Sequence, residues 1–250
     1  MIVTLLKTRI VLPNTCTLFG LLDEYVIELS ERNVLAITSK IVSLCEDAVV
    51  SMDTIERDAL IRQEAEQYAV IPGSDYGVIF TVVHNTLIPN AGVDESNAAG
   101  MYVIWPRNPQ ATANAVRAYL CKRFGIKEVG VIITDSTGQP MRWGMGGIAI
   151  AHSGFKELHN YVGRPDLFGR NFAHETAAVS GGLAAAAVLV MGEGAESTPL
   201  AVIGDVPFVE FQGRDPLPEE LEAARISLDN DIFSPMLKSV PWRQGGRKRN

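Results

Sequence analysis

Two carboxylates occupy the same kind of place in this sequence, each just after an extended segment. Asp94 lies in the polar stretch Asn90-Ala91-Gly92-Val93-Asp94-Glu95-Ser96-Asn97, and Asp135 follows the apolar run 129–134. The end of a strand is a rigid support, and the loop beyond it leaves room for a substrate. Oxygen donors held in that way suit a hard divalent cation such as Mg²⁺ or Mn²⁺, whose shell is completed by waters and phosphates. An Asx turn at Asp94 and a capped turn at Asp135 account for the same spacing. Both readings stay open at the level of pattern.

Phosphate chemistry has a second set of candidates. Ser39 and Lys40 follow the short run VLAIT, and a hydroxyl beside an ammonium at a strand end can bind phosphate by charge-assisted hydrogen bonds. A solvated Ser-Lys turn fits equally well. Glu193, flanked by Gly192 and Gly194, either faces a cation or simply marks the stop of the preceding helix. A Walker-type loop is excluded, because no glycine-rich stretch closes on Gly-Lys-Ser or Gly-Lys-Thr. Gly144 to Ala149 loosely matches a dinucleotide fingerprint but lacks its strand–turn–helix setting, so a tight glycine-rich turn is expected there. His84, His152, His159 and His174 show no zinc-ligand spacing, and no nucleophile elbow or Cys-His pairing supports covalent acyl chemistry.

These residues need elements to position them. The pattern predicts strands at 1–11, 34–38, 129–134 and 200–203, and a strand pair over 76–89. Helices are expected at 17–32, 54–68, 109–124, 176–191 and 218–228. Strands and helices mix without a regular βαβ rhythm, which predicts an α+β, two-lobed mixed fold. Residues 1–85 with 195–250 are expected to form a nucleotide-facing lobe, and 86–194 a lobe carrying the metal motifs.

Composition limits what the chain does. At 250 residues with 47% hydrophobic and 20% charged, it has the make-up of a globular protein large enough for a substantial core. A net charge of -7 is opposite in sign to the footprint of a nucleic-acid binder. The basic run Arg247-Lys248-Arg249 reads as a frayed, solvated tail. Cys16, Cys45 and Cys121 are scattered and odd in number, which predicts buried thiols in a reducing compartment rather than a disulfide framework. The first residues have no signal-peptide pattern, and the apolar run 183–191 is about half a membrane span. A cytoplasmic protein with no membrane partner is expected.

Taken together, several stretches resemble the coenzyme F-420 γ-glutamyl ligase family: ITSKIVS at 37–43, the NAGVDESN turn, VGVIITDSTGQPMR, the glycine-rich run after it, GRPDLFGR at 163–170, and AAAAVLVMGEG ending at Gly194. They occur in the family's order over about residues 10 to 205. The resemblance implies the two-lobed fold of that family and a homodimeric ligase. Its requirements would be GTP as co-substrate, Mg²⁺ or Mn²⁺, and potassium. It would activate a carboxylate of a small-molecule acceptor, a deazaflavin coenzyme precursor or a relative of it, as an acyl phosphate that the amine of L-glutamate attacks.

Carried over by motif, Asp94 and Asp135 would be metal ligands with Ser136 beside them, and Glu193 would be a further metal or nucleotide-side ligand. Leu12, Pro13, Asn14, Thr15, Ser39, Lys40 and Asn97 would contact the nucleotide. Arg142, whose planar fork suits bidentate recognition, is a further candidate for phosphate or a substrate carboxylate. Two departures stand out. Members often read SKIVSKAEG, whereas Leu44, Cys45, Glu46 and Asp47 follow Ser43 here. The alanine-rich helix often opens on an acidic pair where this chain has Gly181 and Gly182. Both remove charge, which motivates a second reading, a non-catalytic nucleotide- or cofactor-binding protein on the same fold; a third is a metal-dependent phosphohydrolase that uses the same carboxylates.

Overall fold

A computed structural model of the chain describes residues 1–70 and 77–248. Tyr76, the expected first residue of the strand pair, and Arg249 of the basic run lie outside the described residues. The order begins β1 (Ile2–Leu6), α1 (Leu18–Tyr25), β2 (Val34–Thr38), α2 (Ser39–Cys45), β3 (Val49–Ser51), α3 (Arg57–Glu64) and β4 (Gln67–Val70). It continues with β5 (Ile79–Val83), β6 (Thr86–Pro89), β7 (Met101–Val103), α4 (Pro109–Phe124), β8 (Gly130–Gly138), β9 (Met145–Ser153) and β10 (Leu158–Asn160). It closes with β11 (Thr176–Ala178), α5 (Val179–Met191), β12 (Leu200–Gly204), α6 (Pro218–Ala223), α7 (Ser234–Ser239) and β13 (Arg243–Gln244). Mixed helices and sheets make this an α+β fold. Among the described residues no helix is long and apolar enough to cross a membrane.

The chain forms two compact units whose segments interleave. The first comprises Met1–Ile10, Leu18–Ser39 and Asn108–Ala224. Its five-stranded sheet runs β1-β12-β2-β8-β9, with β2 and β8 parallel and the other pairs antiparallel. Val34, Leu35, Ala36 and Ile37 are all buried, as are the first five residues of β8, the signature of strands covered on both faces. The helix α5 packs Leu183, Ala184, Ala187 and Met191 against Val34, Ala36, Ile132, Ala201 and Ile203. Its small residues let it come very close: a Cβ on Gly147 of β9 would lie 2.4 Å from the Ala184 carbonyl oxygen. Gly146 and Gly147 therefore belong to a strand lying under a helix, not to the tight turn that the sequence predicts there.

The second unit comprises Val11–Thr17, Lys40–Arg107 and Arg225–Asn250. It holds a four-stranded antiparallel sheet, β13-β4-β5-β6, and the antiparallel pair β3-β7. Leu60, Ile61, Ala69, Ile79, Val83, Ile88 and Trp105 are buried here. The expected frayed tail is corrected at Arg247. Its guanidinium donates to Glu64 Oε2 at 2.9 Å and meets His84 Nε2 at 2.8 Å, and its N–H donates to the Ala65 carbonyl. Both side chains of the Arg247–Glu64 pair are largely shielded from water, so the segment is docked rather than solvated.

Several expected elements change length for identifiable reasons. The helix predicted over 17–32 stops at Tyr25, yet Val26 and Leu29 remain buried, because burial does not require the helical period to continue. The helix predicted over 54–68 ends at Glu64, since Tyr68 and Val70 pair with Thr81 and Ile79 in the sheet. Thr176–Ala178 pairs with β10 before α5 begins. The first strand covers only Ile2–Leu6, and the acidic helix only Pro218–Ala223. Ser39 and Lys40, read from sequence as a strand end or a solvated turn, open a helix instead.

Candidate functional site

In the second unit the site is built around a strained turn. Asn90 (φ 57°), Ala91 (φ 55°) and Gly92 (φ 70°) are all left-handed, an arrangement unfavourable for residues bearing a Cβ. The turn is held from outside: Asn90 Oδ1 accepts from the Ile79 N–H at 3.0 Å, and the Ala91 N–H donates to Thr81 Oγ1 at 2.7 Å. Gly92 sits against the buried Trp105, where a Cβ would come 2.1 Å from Nε1. The chain then straightens, and Asp94 exchanges both backbone hydrogen bonds with Val103.

That backbone presents the Asp94 carboxylate to Lys40 in the first turn of α2. Lys40 Nζ lies 2.5 Å from Asp94 Oδ2 and donates to both Ser96 O and Ser96 Oγ at 3.0 Å. An ammonium has three donors, and these three acceptors match them. The other carboxylate oxygen, Oδ1, accepts from the Ser96 N–H at 2.7 Å, which is the Asx turn anticipated from sequence. The Asx turn and the charged cluster thus use different oxygens of one carboxylate. Burial opposes the charge on Asp94, but the Lys40 ammonium and the Ser96 donors outweigh it and hold the carboxyl below its ordinary value.

Also within the second unit, Thr15 Oγ1 donates to the Leu12 carbonyl at 2.7 Å and closes a tight turn over Leu12, Pro13, Asn14 and Thr15. Asn14, left-handed at φ 60°, donates from Nδ2 to Asp47 Oδ1 at 2.8 Å. Asn97 is exposed and left-handed at φ 51°.

In the first unit Asp135 lies inside β8, not after it, paired with Ile148 of β9. A register shift between Ile133 and Thr134 precedes it, and such bulges re-aim side chains where a strand leaves the core. Asp135 Oδ1 accepts from the Ser136 N–H at 2.7 Å, and Ser136 Oγ donates to Glu193 Oε2 at 3.1 Å. The serine therefore links two carboxylates from elements 57 residues apart. Gly192, with φ 82°, turns the chain after α5 so that Glu193 arrives there, while Glu196 Oε2 accepts from the Gly194 N–H at 2.8 Å. Arg142 is exposed in the connection between β8 and β9, where its N–H closes a turn onto the Gln139 carbonyl. Ser39 is buried at the start of α2.

Among the described residues no group of three or more His, Cys, Asp and Glu side chains is arranged to hold a metal ion. Asp135, Ser136 and Glu193 still offer a hard, all-oxygen donor set. That chemistry fits Mg²⁺ or Mn²⁺ held by one or two carboxylates and completed by phosphates and water. At Asp94 a cation would have to share or displace Lys40. Ser96, Asp47 and Glu196 escaped the sequence reading. Ser96 was signalled by its place two residues after Asp94, whereas Asp47 is 33 residues from the Asn14 it binds and no local pattern marks it.

Comparison with known proteins gives one consistent result. The model of the family described as "F420-0:Gamma-glutamyl ligase" matches residues 15–205. The chain is similar to the "Coenzyme F420:L-glutamate ligase" of Methanopyrus kandleri, with 38% identity over 82% of this chain and 87% of the relative. Proteins of the same name from Methanocaldococcus jannaschii and Methanococcus maripaludis are 34% and 36% identical. They cover 78% and 80% of this chain and 84% and 86% of their own lengths.

Proposed function

This chain belongs to the F420-0:Gamma-glutamyl ligase family, and from that premise we propose that it is an amide-bond-forming ligase joining L-glutamate to a carboxylate of a coenzyme F-420 precursor. In this reading GTP is consumed, Mg²⁺ or Mn²⁺ is required, and the enzyme works as a cytoplasmic homodimer. The observation that carries it is the serine-linked carboxylate pair Asp135 and Glu193, where β8 leaves the core still paired with β9.

The reaction divides into two transfers. An acceptor carboxylate oxygen attacks the γ-phosphorus of GTP, GDP departs, and an acyl phosphate forms. The glutamate amine then attacks the acyl carbon, phosphate leaves, the nitrogen loses a proton, and the amide remains. No protein nucleophile is needed. Bound at Asp135, Ser136 and Glu193, a divalent cation would neutralise charge on the transferred phosphoryl group.

The chain's own groups do the remaining work. Lys40 is an ammonium preset beside Asp94 and Ser96, and exchanging one acceptor for a phosphate oxygen replaces one charge-assisted hydrogen bond with another. The left-handed turn at Asn90–Gly92 keeps Asp94 from following Lys40, because its backbone is tied to Val103 on both sides. The turn over Leu12 to Thr15, closed by its own threonine, gives the nucleotide a backbone of fixed shape to dock against.

The test is a turnover assay with GTP, Mn²⁺, L-glutamate and a deazaflavin acceptor, following GDP and the amide product by mass spectrometry. GDP and amide should appear in equal amounts. Asp135→Asn should lower kcat by at least about a hundredfold, since a metal's charge neutralisation is worth several kcal/mol. GDP released without amide would replace the ligase with a phosphohydrolase. Nucleotide bound but never consumed would leave a binding protein on the ligase fold.

A further inference from the structure

Two of the three cysteines, far apart in sequence, meet in the second unit. Cys16 Sγ and Cys45 Sγ are 3.8 Å apart, and each side chain is partly exposed. The expectation of buried, unrelated thiols is therefore corrected. Cys16 directly follows the turn over Leu12 to Thr15, and Cys45 is the last residue of α2, whose first turn carries Lys40. The Asn14–Asp47 hydrogen bond spans the same junction. The contact is a small approach away from a bond, since a disulfide needs about 2.05 Å between sulfurs.

We propose that Cys16 and Cys45 form a reversible redox-sensitive pair, whose disulfide fastens the turn over Leu12 to Thr15 to the end of α2 and weakens nucleotide binding. The second half rests on the reading of that turn as a nucleotide contact. With a small disulfide as oxidant, the thiolate of one cysteine attacks and releases one small thiol, leaving a mixed disulfide. The thiolate of the other displaces the second small thiol as the Cys16–Cys45 bond forms. The two protons lost by the cysteines are taken up by the two small thiolates. Closure draws the sulfurs together by about 1.7 Å, and the bond then holds the turn over Leu12 to Thr15 at a fixed distance from the end of α2.

Cys121 provides an internal comparison. It lies in the first unit, where Arg117 Nη1 donates to its sulfur and the sulfur donates to the Lys127 carbonyl. The full chain is equilibrated with glutathione disulfide, alkylated, digested without reduction and mapped by mass spectrometry. The same samples are titrated with GTP and Mn²⁺. A single linkage between Cys16 and Cys45 is expected, reversed by dithiothreitol, retained in Cys121→Ser and absent in Cys16→Ser. The oxidised chain should bind GTP about tenfold or more weakly, a change of about 1.4 kcal/mol, while Cys16→Ser binds it equally under both conditions. Three alkylated thiols after oxidation, or a linkage through Cys121, would overturn the pairing. A linkage that leaves GTP affinity unchanged would overturn the control of binding. If the reduced chain also fails to bind GTP while the linkage forms, the nucleotide reading fails and the redox pair stands.

Discussion

Lys40 and Gly92 show how single residues set up this protein, the first by charge and the second by having no side chain. Lys40 satisfies its three donors on Asp94 and Ser96, so the candidate site is electrostatically settled before any ligand arrives. Gly92 makes that possible, because only a residue without Cβ fits a left-handed turn pressed against the Trp105 indole. Gly92→Ala is expected to destabilise the chain by about 3 kcal/mol, from overpacking together with backbone strain. A urea unfolding curve reads this as a lower midpoint at unchanged slope, and an unchanged midpoint would mean that Trp105 yields easily. The sequence pointed to this turn through its polar, Asn-rich make-up. It could not show that the glycine was required by a tryptophan 13 residues further on.

At the scale of elements, the segment after α7 shows how tertiary contacts overrule local composition. Gly245, Gly246 and three cations in a row suggest a solvated tail, and no local hydrophobic pattern argues otherwise. The backbone nonetheless completes a sheet through β13, and Arg247 reaches Glu64 and His84. Burial of His84, with the Arg247 charge beside it, lowers the imidazole below its ordinary 6.5, so it is neutral in the fold. The unfolded chain then takes up the proton first as pH falls. Stability from this contact is present above pH 6.5 and is lost as pH falls from there through the lower folded value. Hydrogen exchange at Gly245–Arg247 should therefore accelerate as pH falls below 6.5, beyond the intrinsic pH dependence of exchange, and His84→Gln should flatten that trend. An NMR titration placing His84 at or above 6.5 would remove the basis for it.

At the scale of the whole molecule, the two units are assembled from interleaved segments, so each is closed by residues distant in sequence. If GTP with Mn²⁺ binds only the folded state, at about a hundred times its dissociation constant it adds about 2.7 kcal/mol. For a chain of this size that corresponds to a rise in Tm of about 5–10 °C. The rise should require both GTP and metal, and Asp135→Asn should abolish it. A shift of equal size with GTP alone would separate nucleotide binding from the carboxylate pair.

By itself the sequence determined the apolar runs of β2 and β8, the long helix α4, the strand pair β5–β6 and the identity of the turn that carries Asp94, because each depends on periodicity or turn chemistry within a few residues. It also carried the family, whose motifs are short and local. Tertiary structure decided what local pattern cannot hold. It determined where helices stop when sheet pairing competes for the same residues, and which serine joins Asp135 to Glu193. It likewise brought Asn14 to Asp47, and Cys16 to Cys45. Such contacts are fixed by the packing of whole elements, and the free energy that selects them is shared across a core rather than written in any neighbouring residue.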